Sequence, residues 1–243
     1  MSEGYVMECR KLTAGYGKKA VVSELSFGIS PGETVALIGE NGSGKSTLIK
    51  TIIREIPKIA GTVLIDGRDA AGLSAGEMAK YTAIVMTSGL RPDYFTCFDM
   101  VSSGRYPYTD MLGRLREEDK RAVKEAMELT GTWELKDLYV TDISDGQRQL
   151  VMLSRAIAQK PRLLILDEPT SFLDIRHRLL FAKAVGELVR NKNISVLMSI
   201  HELDLARSMS DRVIALKDGR IDRTGDTADI LTDAYIRELF RLE

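Results

Sequence analysis

The chain has 243 residues, of which 44% are hydrophobic and 28% charged, and its formal net charge is -1. This composition supports a packed core, excludes an intrinsically disordered chain, and lacks the excess of basic residues that nucleic-acid-binding proteins carry. No apolar run approaches the roughly 18 residues that span a bilayer, no signal peptide is visible, and the two cysteines, Cys9 and Cys97, indicate reduced thiols of a soluble intracellular protein.

The first part of the sequence predicts short strands separated by glycine and proline turns. Residues 5–13 alternate loosely between apolar and polar side chains, as a half-buried strand does, and end at a turn around Gly15 and Gly17. A strand at residues 34–38 leads into a glycine-rich loop, and a helix should follow over residues 45–54. Further strands are predicted at residues 25–29, 61–65 and 82–86.

From residue 90 to residue 142 the pattern changes from strands to helices. Apolar residues recur at helical spacing in residues 117–130, so we expect a mainly helical subdomain inserted into an α/β core. Short apolar strands then alternate with helices, which is typical of a mainly parallel sheet with helices on both faces. These later segments are helix 147–159, strand 163–166, helix 175–190, strand 194–199, helix 202–208, strand 212–216, a hairpin turn at 218–219 and a helical tail at 227–240.

The glycine-rich loop carries the first motif with a chemical meaning. Residues 39–46 read GENGSGKS and match the phosphate-loop pattern G-x-x-x-x-G-K-[ST] without a mismatch. Its glycines let backbone N–H groups wrap phosphates, and the following helix N-terminus adds positive potential. We expect Lys45 to reach the β- and γ-phosphates and the Ser46 hydroxyl to bind Mg²⁺. Alone, this loop predicts a nucleotide binder and leaves kinases, GTPases and motor proteins open.

Two carboxylates end the apolar strand predicted at residues 163–166. Asp167 is expected to hold the Mg²⁺ shell at the carboxyl end of this strand, and Glu168 to orient or deprotonate the attacking water. His201 follows another strand, where it could bind the γ-phosphate and help hold Glu168 and the water. His177, on a predicted helix, is interpreted as structural. A solvated acidic turn and a structural His201 remain the alternatives at this point.

A third segment separates the phosphate-loop families from one another. Residues 143–147 read ISDGQ, which by itself would be an ordinary helix start. The segment resembles the LSGGQ signature of ATP-binding-cassette (ABC) ATPases: Ser144, Gly146 and Gln147 match, Ile143 is a mild change, and Asp145 replaces a glycine. In the same order along the chain, residues 171–174 resemble the loop after the catalytic glutamate, and residues 199–202 resemble the histidine switch. The resemblance extends from residue 5 to residue 240.

This resemblance implies a fold and a division of the chain. The fold is an α/β phosphate-loop NTPase of the ABC type, with a mainly parallel core sheet, an N-terminal antiparallel β portion and an inserted α-helical subdomain. It implies one ABC ATPase domain over residues 1–243. Residues 1–88 and 160–243 would form the RecA-like core with the antiparallel portion, and residues 89–159 the helical subdomain that carries the signature.

The resemblance also implies an ATP site shared by two copies of the chain. Residues 144–147 of one protomer would close, head to tail, on ATP held by its partner, with Ser171 and Asp174 of the D-loop nearby, and hydrolysis would release the closed dimer. Tyr16 matches the aromatic residue that stacks on adenine. The catalytic residues would be Lys45, Glu168 and His201. The nucleotide-binding residues would be Tyr16, Gly39, Glu40, Asn41, Gly42, Ser43, Gly44, Lys45, Ser46 and Thr47.

One position departs from the family pattern. The family places a glutamine after the strand at residues 82–86, where it contacts Mg²⁺ and links the site to the membrane partner, but this chain has Thr87. Ser46 and Asp167 would remain the Mg²⁺ ligands, with Thr87 as an oxygen on a shorter arm. Thr87 is not expected to replace the glutamine fully, so the link to the membrane partner would run through water or backbone.

A further segment bears on the transported cargo. Residues 104–108, GRYPY, resemble the G-R-x-P-[HY] segment of importers for iron–siderophore, heme and cobalamin. The alternative interpretation is an ordinary proline turn that ends a helix. The resemblance favours an iron chelate first and heme or cobalamin next, although an ATPase subunit seldom touches the cargo.

The leading hypothesis is the ATP-hydrolysing subunit of a membrane importer, peripheral on the cytoplasmic face of the cell membrane. Two copies would bind two permease subunits, whose cytoplasmic helices would enter a groove near residues 87–104, and a substrate-binding protein would act indirectly. No nucleic-acid partner is expected. The alternatives are an ABC ATPase for another cargo, a soluble cassette ATPase of DNA repair or ribosomes, which usually has a coiled-coil insert or two cassettes, and a small-molecule phosphate-loop kinase.

Overall fold

The computed structural model describes residues 4–86, 92–110, 112–171 and 173–241. The strands are β1 (Met7–Tyr16), β2 (Lys19–Ile29), β3 (Thr34–Ile38), β4 (Lys58–Ile65), β5 (Arg68–Asp69), β6 (Thr82–Met86), β7 (Leu163–Asp167), β8 (Ser195–Ser199), β9 (Arg212–Lys217) and β10 (Arg220–Asp226). The helices are α1 (Lys45–Ile52), α2 (Ala75–Tyr81), α3 (Cys97–Ser102), α4 (Glu117–Leu129), α5 (Asp145–Ala158), α6 (Ile175–Lys192), α7 (Leu203–Met209), α8 (Thr227–Ile230) and α9 (Asp233–Leu239). No helix in these ranges is long and apolar enough to cross a bilayer.

The core sheet has six strands in the order β10-β9-β3-β8-β7-β6. All neighbours pair in parallel except β10, which forms an antiparallel hairpin with β9. Successive residues of β7 face different apolar clusters: Leu164 packs with α3 to α6, and Ile165 packs with α1 and the strands of the other sheet. Burial on both faces explains why this strand is apolar throughout, and it confirms the predicted mainly parallel sheet.

The second sheet is antiparallel and has the order β2-β1-β4-β5. The sequence prediction ended the first strand before Gly15, but β1 continues to Tyr16, which pairs with Lys19 across a tight turn. Gly15 lies inside the ladder, where a Cβ atom would be 2.0 Å from the Lys19 carbonyl oxygen. The second strand also begins at Lys19, six residues before its predicted start at residue 25. The hairpin therefore presents Tyr16 at its tip.

Helices α3 to α5 lie between β6 and β7 in the chain, as expected for the helical insert. Their buried side chains, including Val101, Val123 and Val151, belong to the same apolar cluster as Leu164 of the core sheet. The insert is therefore packed onto the sheet, and its treatment as a separate subdomain over residues 89–159 stays a prediction. Helix α2 and strand β5 were not predicted.

The segment at residues 104–108 packs against both long helices of the insert. Arg105 is 5% exposed, donates to Oδ1 of Asp119 (2.8 Å) and to the carbonyl oxygen of Ala158 (2.8 Å), and lies over the ring of Tyr108. A Cβ atom on Gly104 would lie 2.3 Å from the carbonyl oxygen of Arg155. Glycine, arginine and tyrosine at these positions therefore hold the C-terminal end of α5.

Candidate active site

The loop between β3 and α1 contains three glycines with positive φ angles. Gly39, Gly42 and Gly44 have φ angles of 147°, 82° and 104°, which strain residues that carry a side chain. A Cβ atom on Gly44 would lie 2.3 Å from Cγ1 of Val22, and one on Gly39 would lie 2.3 Å from the carbonyl oxygen of Leu216. Glycine at these two positions therefore satisfies both a conformational and a steric requirement.

Lys45 begins α1 and is only 5% exposed. Its Nζ donates to the carbonyl oxygens of Gly39 (2.8 Å) and Glu40 (3.1 Å). Burial lowers the pKa of Lys45, while the carboxylates of Glu168 and Asp167 act in the opposite direction. The amine is therefore held against the loop by weak neutral acceptors, which charged phosphate oxygens can replace with stronger hydrogen bonds.

A second side chain of the loop has an unmet hydrogen-bonding capacity. Oγ of Ser43 is buried and has no hydrogen-bond partner among the described residues. A buried polar atom without a hydrogen bond reduces the stability of the folded state by about 1–3 kcal/mol. An orphaned hydroxyl inside a loop of glycines and next to a helix N-terminus indicates a missing polar ligand, and a phosphate group fits this requirement.

The two carboxylates lie at the carboxyl end of β7, as predicted. Ser199, at the end of the neighbouring β8, donates through Oγ to Oδ1 of Asp167 (2.6 Å). The backbone N–H of Glu168 donates to the same Oγ (2.9 Å) and to the Ser199 carbonyl oxygen (3.2 Å). Glu168 has a φ angle of 49°, an uncommon conformation for a residue with a side chain. One serine thus fixes both carboxylate-bearing residues.

His201 contacts Glu168 directly. Nε2 of His201 lies 2.5 Å from Oε1 of Glu168, and the two side chains are 35% and 32% exposed. The pair is therefore hydrogen-bonded yet open to solvent on one side, which a group that handles a water molecule requires.

A cleft of about 250 Å³ connects these features. Its lining combines the phosphate loop, the tip of the β1–β2 hairpin and Glu168. Tyr16 is 57% exposed, so its ring face is free for a planar ligand. The lining residues are Tyr16, Val21, Asn41, Gly42, Gly44, Lys45, Ser46, Thr47 and Glu168. The remaining nucleotide-binding predictions, Gly39, Glu40 and Ser43, lie in the same loop.

Oxygen donors for a divalent cation are present at two predicted positions. Ser46 lines the cleft, and Asp167 lies behind it at the end of β7. No cluster of three or more His, Cys, Asp or Glu side chains that could hold a metal occurs in the described ranges. One hydroxyl and one carboxylate fit Mg²⁺ that keeps water and nucleotide phosphates as its other ligands. Thr87 lies outside the described residues.

The predicted signature segment forms the start of α5. Oγ of Ser144 accepts from the N–H of Gln147 (3.2 Å), and Oε1 of Gln147 accepts from the N–H of Ser144 (2.9 Å), which completes a capping box. Asp145, where the family pattern has glycine, forms an ion pair with Arg148. Residues 144–147 are not among the described residues that line the cleft.

The loop after Glu168 leads into α6. Asp174 caps this helix: its Oδ1 accepts from the backbone N–H of His177 and lies within hydrogen-bond distance of its ring Nδ1, both at 2.8 Å. These hydrogen bonds, the backbone one foremost, hold the pKa of Asp174 below its usual value. Ser171 is exposed. His177 thus contacts the capping residue of its own helix.

The contacts of three residues near the site were not predicted from the sequence. Ser199 fixes the carboxylates, and Arg178 and Glu202 form an ion pair between α6 and the residue after His201. Ser199 could have been found as a polar residue ending an apolar strand beside the Asp167 strand. The ion pair has no local signal, because its members are 24 residues apart.

The comparisons with known proteins agree with this geometry. Residues 22–171 match the family model described as ABC transporter. The chain is 35% identical over 237 residues to the iron(3+)-hydroxamate import ATP-binding protein FhuC of Bacillus subtilis, covering 98% of this chain and 88% of the relative. It is also 35% identical over 232 residues to the ferric enterobactin transport ATP-binding protein FepC of Escherichia coli, covering 96% and 86%.

A solved structure of the ATP-binding subunit of an ABC transporter superimposes with a TM-score of 0.85 at 27% identity, covering 97% of this chain and 98% of that one. The expected α/β architecture with a parallel core and an antiparallel portion is thus confirmed. Since the family model matches more than half of the chain and both relatives are matched over most of their length, the chain belongs to the ABC transporter family, among its ATP-binding subunits.

Proposed function

We propose that this chain binds and hydrolyses ATP to drive import of an iron chelate through a separate membrane permease. The observation that carries the proposal is the single cleft in which the phosphate loop, the exposed ring of Tyr16 and Glu168, hydrogen-bonded to His201, meet. A structural or simple binding module would not need a carboxylate paired with an imidazole at the open end of a phosphate site.

The half of the site that lies on the same protomer as the phosphate loop, here called the cis half, binds the nucleotide. The ring of Tyr16 stacks on adenine, and the backbone of residues 39–47 surrounds the phosphates, with the Ser43 hydroxyl as an additional donor. Lys45 exchanges its two carbonyl acceptors for the β- and γ-phosphate oxygens. Ser46 and Asp167 would hold Mg²⁺, which would supply positive charge to neutralise the phosphate oxygens.

The chemical step belongs to Glu168 and His201. Glu168 accepts a proton from a water molecule as the water oxygen bonds to the γ-phosphorus, and the bond to the β–γ bridging oxygen breaks. His201 orients Glu168 through the hydrogen bond between Nε2 and Oε1. Ser199 keeps the loop that carries Glu168 in register with β8.

The trans half of the site comes from a second copy. A hydroxyl that accepts one hydrogen bond still has its own proton to donate, so Ser144 can cap α5 and donate to a γ-phosphate at once. The N-terminus of α5 adds positive potential. A head-to-tail homodimer would place residues 144–147 and the loop residues Ser171 and Asp174 of one protomer at the ATP of the other.

A groove supports the coupling to a permease. A depression of about 420 Å³ lies where α2, β6 and the end of α5 meet. Its floor is apolar and its wall carries Arg155, so it suits an amphipathic helix with an acidic or carbonyl-rich end. The lining residues are Ile53, Arg54, Ala75, Met78, Ala79, Thr82, Ala83, Ile84, Arg155 and Gln159. A permease helix bound there would hold this chain as a peripheral subunit on the cytoplasmic face of the membrane.

The cargo is inferred from the relatives. Both relatives named above act in uptake of ferric siderophores, so we place an iron chelate first, and heme or cobalamin next. The test co-expresses the chain with its permease and measures ATP hydrolysis and uptake of ⁵⁵Fe-siderophore, labelled heme and labelled cobalamin. Stimulated hydrolysis with uptake of the siderophore alone supports the proposal. Equal turnover with and without the permease contradicts coupling, and uptake of another cargo contradicts the iron chelate.

A further inference from the structure

Glu202, the residue after His201, is anchored to two other segments. Its Oε1 accepts a hydrogen bond from Oγ1 of Thr170 (3.3 Å), and its Oε2 forms a short ion pair with Nη1 of Arg178. Thr170 lies two residues beyond Glu168. The loop that carries His201 is therefore fastened both to the loop after Glu168 and to α6.

Arg178, in the first turn of α6, joins two loops at once. Besides the ion pair with Glu202, its Nη2 donates to the carbonyl oxygen of Leu173 (3.3 Å). The two ionic side chains are 35% and 39% exposed, so solvent screens their attraction only in part. A planar guanidinium that bridges a carboxylate and a carbonyl fixes the spacing between Glu202 and Leu173.

His177, the neighbour of Arg178, reaches the signature segment of the same protomer. Its ring packs against Gly146: a Cβ atom on this glycine would lie 2.9 Å from Nδ1 and 3.0 Å from Cγ of the imidazole. Nδ1 is also within 2.8 Å of Oδ1 of Asp174, which sets the orientation of the ring. A side chain at residue 146 would displace the ring, so the imidazole links the start of α5 to the start of α6.

These contacts form one continuous path inside each protomer, from the Glu168–His201 pair through Glu202 and the first turn of α6 to Gly146. We propose that His177 and Arg178 are positioning residues. They transmit the state of one protomer's ATP site to the signature segment of the same protomer, which contacts the ATP held by the partner. The inference rests on the proposed function, because only a head-to-tail dimer places that segment at a second site. Loss of the γ-phosphate at one site would thereby loosen the other.

The experiment measures ATP hydrolysis by the full-length chain against ATP concentration. Coupled sites give the wild type a Hill coefficient approaching the number of sites, about 2, and we expect Arg178→Gln and His177→Ala to lower it to about 1. Half-saturating ATP should change less than about twofold, because neither residue lines the cleft. Arg176→Gln is the matched control: it removes the same charge from an exposed position in the same turn and should behave as wild type.

Two further sets of variants keep the test falsifiable. His177→Asn preserves a hydrogen bond to Asp174 without the ring, so it protects folding and should still lower the Hill coefficient. Glu202→Gln completes a double-mutant cycle with Arg178→Gln. The double variant should lower the Hill coefficient no further than either single variant does. Exchanging the charges (Arg178→Glu with Glu202→Arg) should restore the Hill coefficient. Unchanged coefficients in the variants, additive losses, or a wild-type coefficient of about 1 overturn the path. A wild type that hydrolyses no ATP overturns the proposed function instead.

Discussion

Helices α1 and α5 both offer an N-terminus to a phosphate, but they are built in opposite ways. No side chain in the described part of the chain caps α1, its N-cap residue Gly44 has a left-handed conformation, and its first turn holds no acidic residue. Helix α5 has a complete capping box between Ser144 and Gln147 and an acidic first-turn residue, Asp145. The N-terminal backbone N–H groups of α1 therefore have no capping side chain, whereas those of α5 are partly satisfied by Ser144.

This difference matches two kinds of binding. An uncapped helix start next to a buried lysine gains most from an anion and should hold the nucleotide throughout the cycle. A capped and acidic helix start gains less, so its hold on a phosphate is weaker and more readily reversed. The cis half of the site is thus suited to retention of ATP and the trans half to closing and opening. Four changes to the chain would separate these two kinds of binding.

Removing the general base should stop ATP hydrolysis without altering the N-terminus of either α1 or α5. Glu168→Gln keeps the hydrogen bond with His201 but cannot accept a proton, so kcat should fall about 10²- to 10⁴-fold while ATP binding persists. Because neither helix start is altered, ATP should hold two chains together, which size-exclusion chromatography with and without ATP would show. Hydrolysis at the wild-type rate would remove Glu168 as the base.

A variant that lacks the cis half and a variant that lacks the trans half should recover activity when they are mixed. Lys45→Ala removes the cis half and Ser144→Ala the trans half, so each homodimer should lose more than about tenfold in turnover through a lost charged contact. Mixing the two variants should recover about a quarter of wild-type activity, since half of the dimers are mixed and one of their two head-to-tail sites is intact. No recovery would contradict the composite site.

The matched control for Ser144→Ala is Ser74→Ala. Ser74 caps α2 through the same capping box with Glu77, away from the cleft. Each change should cost about 1 kcal/mol of stability through the lost cap, measured as a lower unfolding temperature. Only Ser144→Ala should reduce hydrolysis, and equal losses of activity would attribute the effect to stability alone.

Tyr16, the adenine-binding residue of the cis half, should contribute moderately to the affinity for ATP. Tyr16→Ala should weaken ATP binding about fivefold, because stacking is worth on the order of 1 kcal/mol. Tyr16→Phe should bind as the wild type, since the ring face and not the hydroxyl contacts adenine. Isothermal titration with each variant measures both affinities, and an unchanged affinity for Tyr16→Ala would exclude the stacking role.

Asp145 tests the acidic character of the trans half. Asp145→Gly removes a negative charge from the first turn of α5, so in the Glu168→Gln background less ATP should be needed to close the dimer, by about two- to fivefold. The same change should lower the unfolding temperature slightly, as the first turn of α5 loses a favourable charge. A higher ATP requirement would mean that the carboxylate itself assists closure.

The nucleotide site could be predicted from the sequence because its motifs are local. Residues 39–46, Asp167 and Glu168 each lie at the end of an apolar strand, and parallel strands bring their carboxyl ends together. Helix α2 was missed although Ser74 and Glu77 have the spacing of a capping box, a signal that could have been used. The early start of β2 was missed because its first residues are polar and exposed.

Contacts that join distant segments could not be predicted. Gly146 against His177 and Arg178 against Glu202 depend on how α5, α6 and the β8 loop pack, and single-sequence patterns carry no information on such pairs. The same applies to Arg105, whose sequence neighbours do not reveal that its partners are Asp119 and the carbonyl of Ala158.

Helix α5 has a mechanical consequence that follows from how its ends are held. Arg105 binds the carbonyl of Ala158 at one end, and the ring of His177 rests on Gly146 at the other. Fourteen residues make the helix about 20 Å long, and a helix is stiff over this length. Arg155 and Gln159 also line the groove, so a permease helix bound there would act on one end of α5. The stiff helix would then transmit the displacement to the signature segment, which lies about 20 Å from that end.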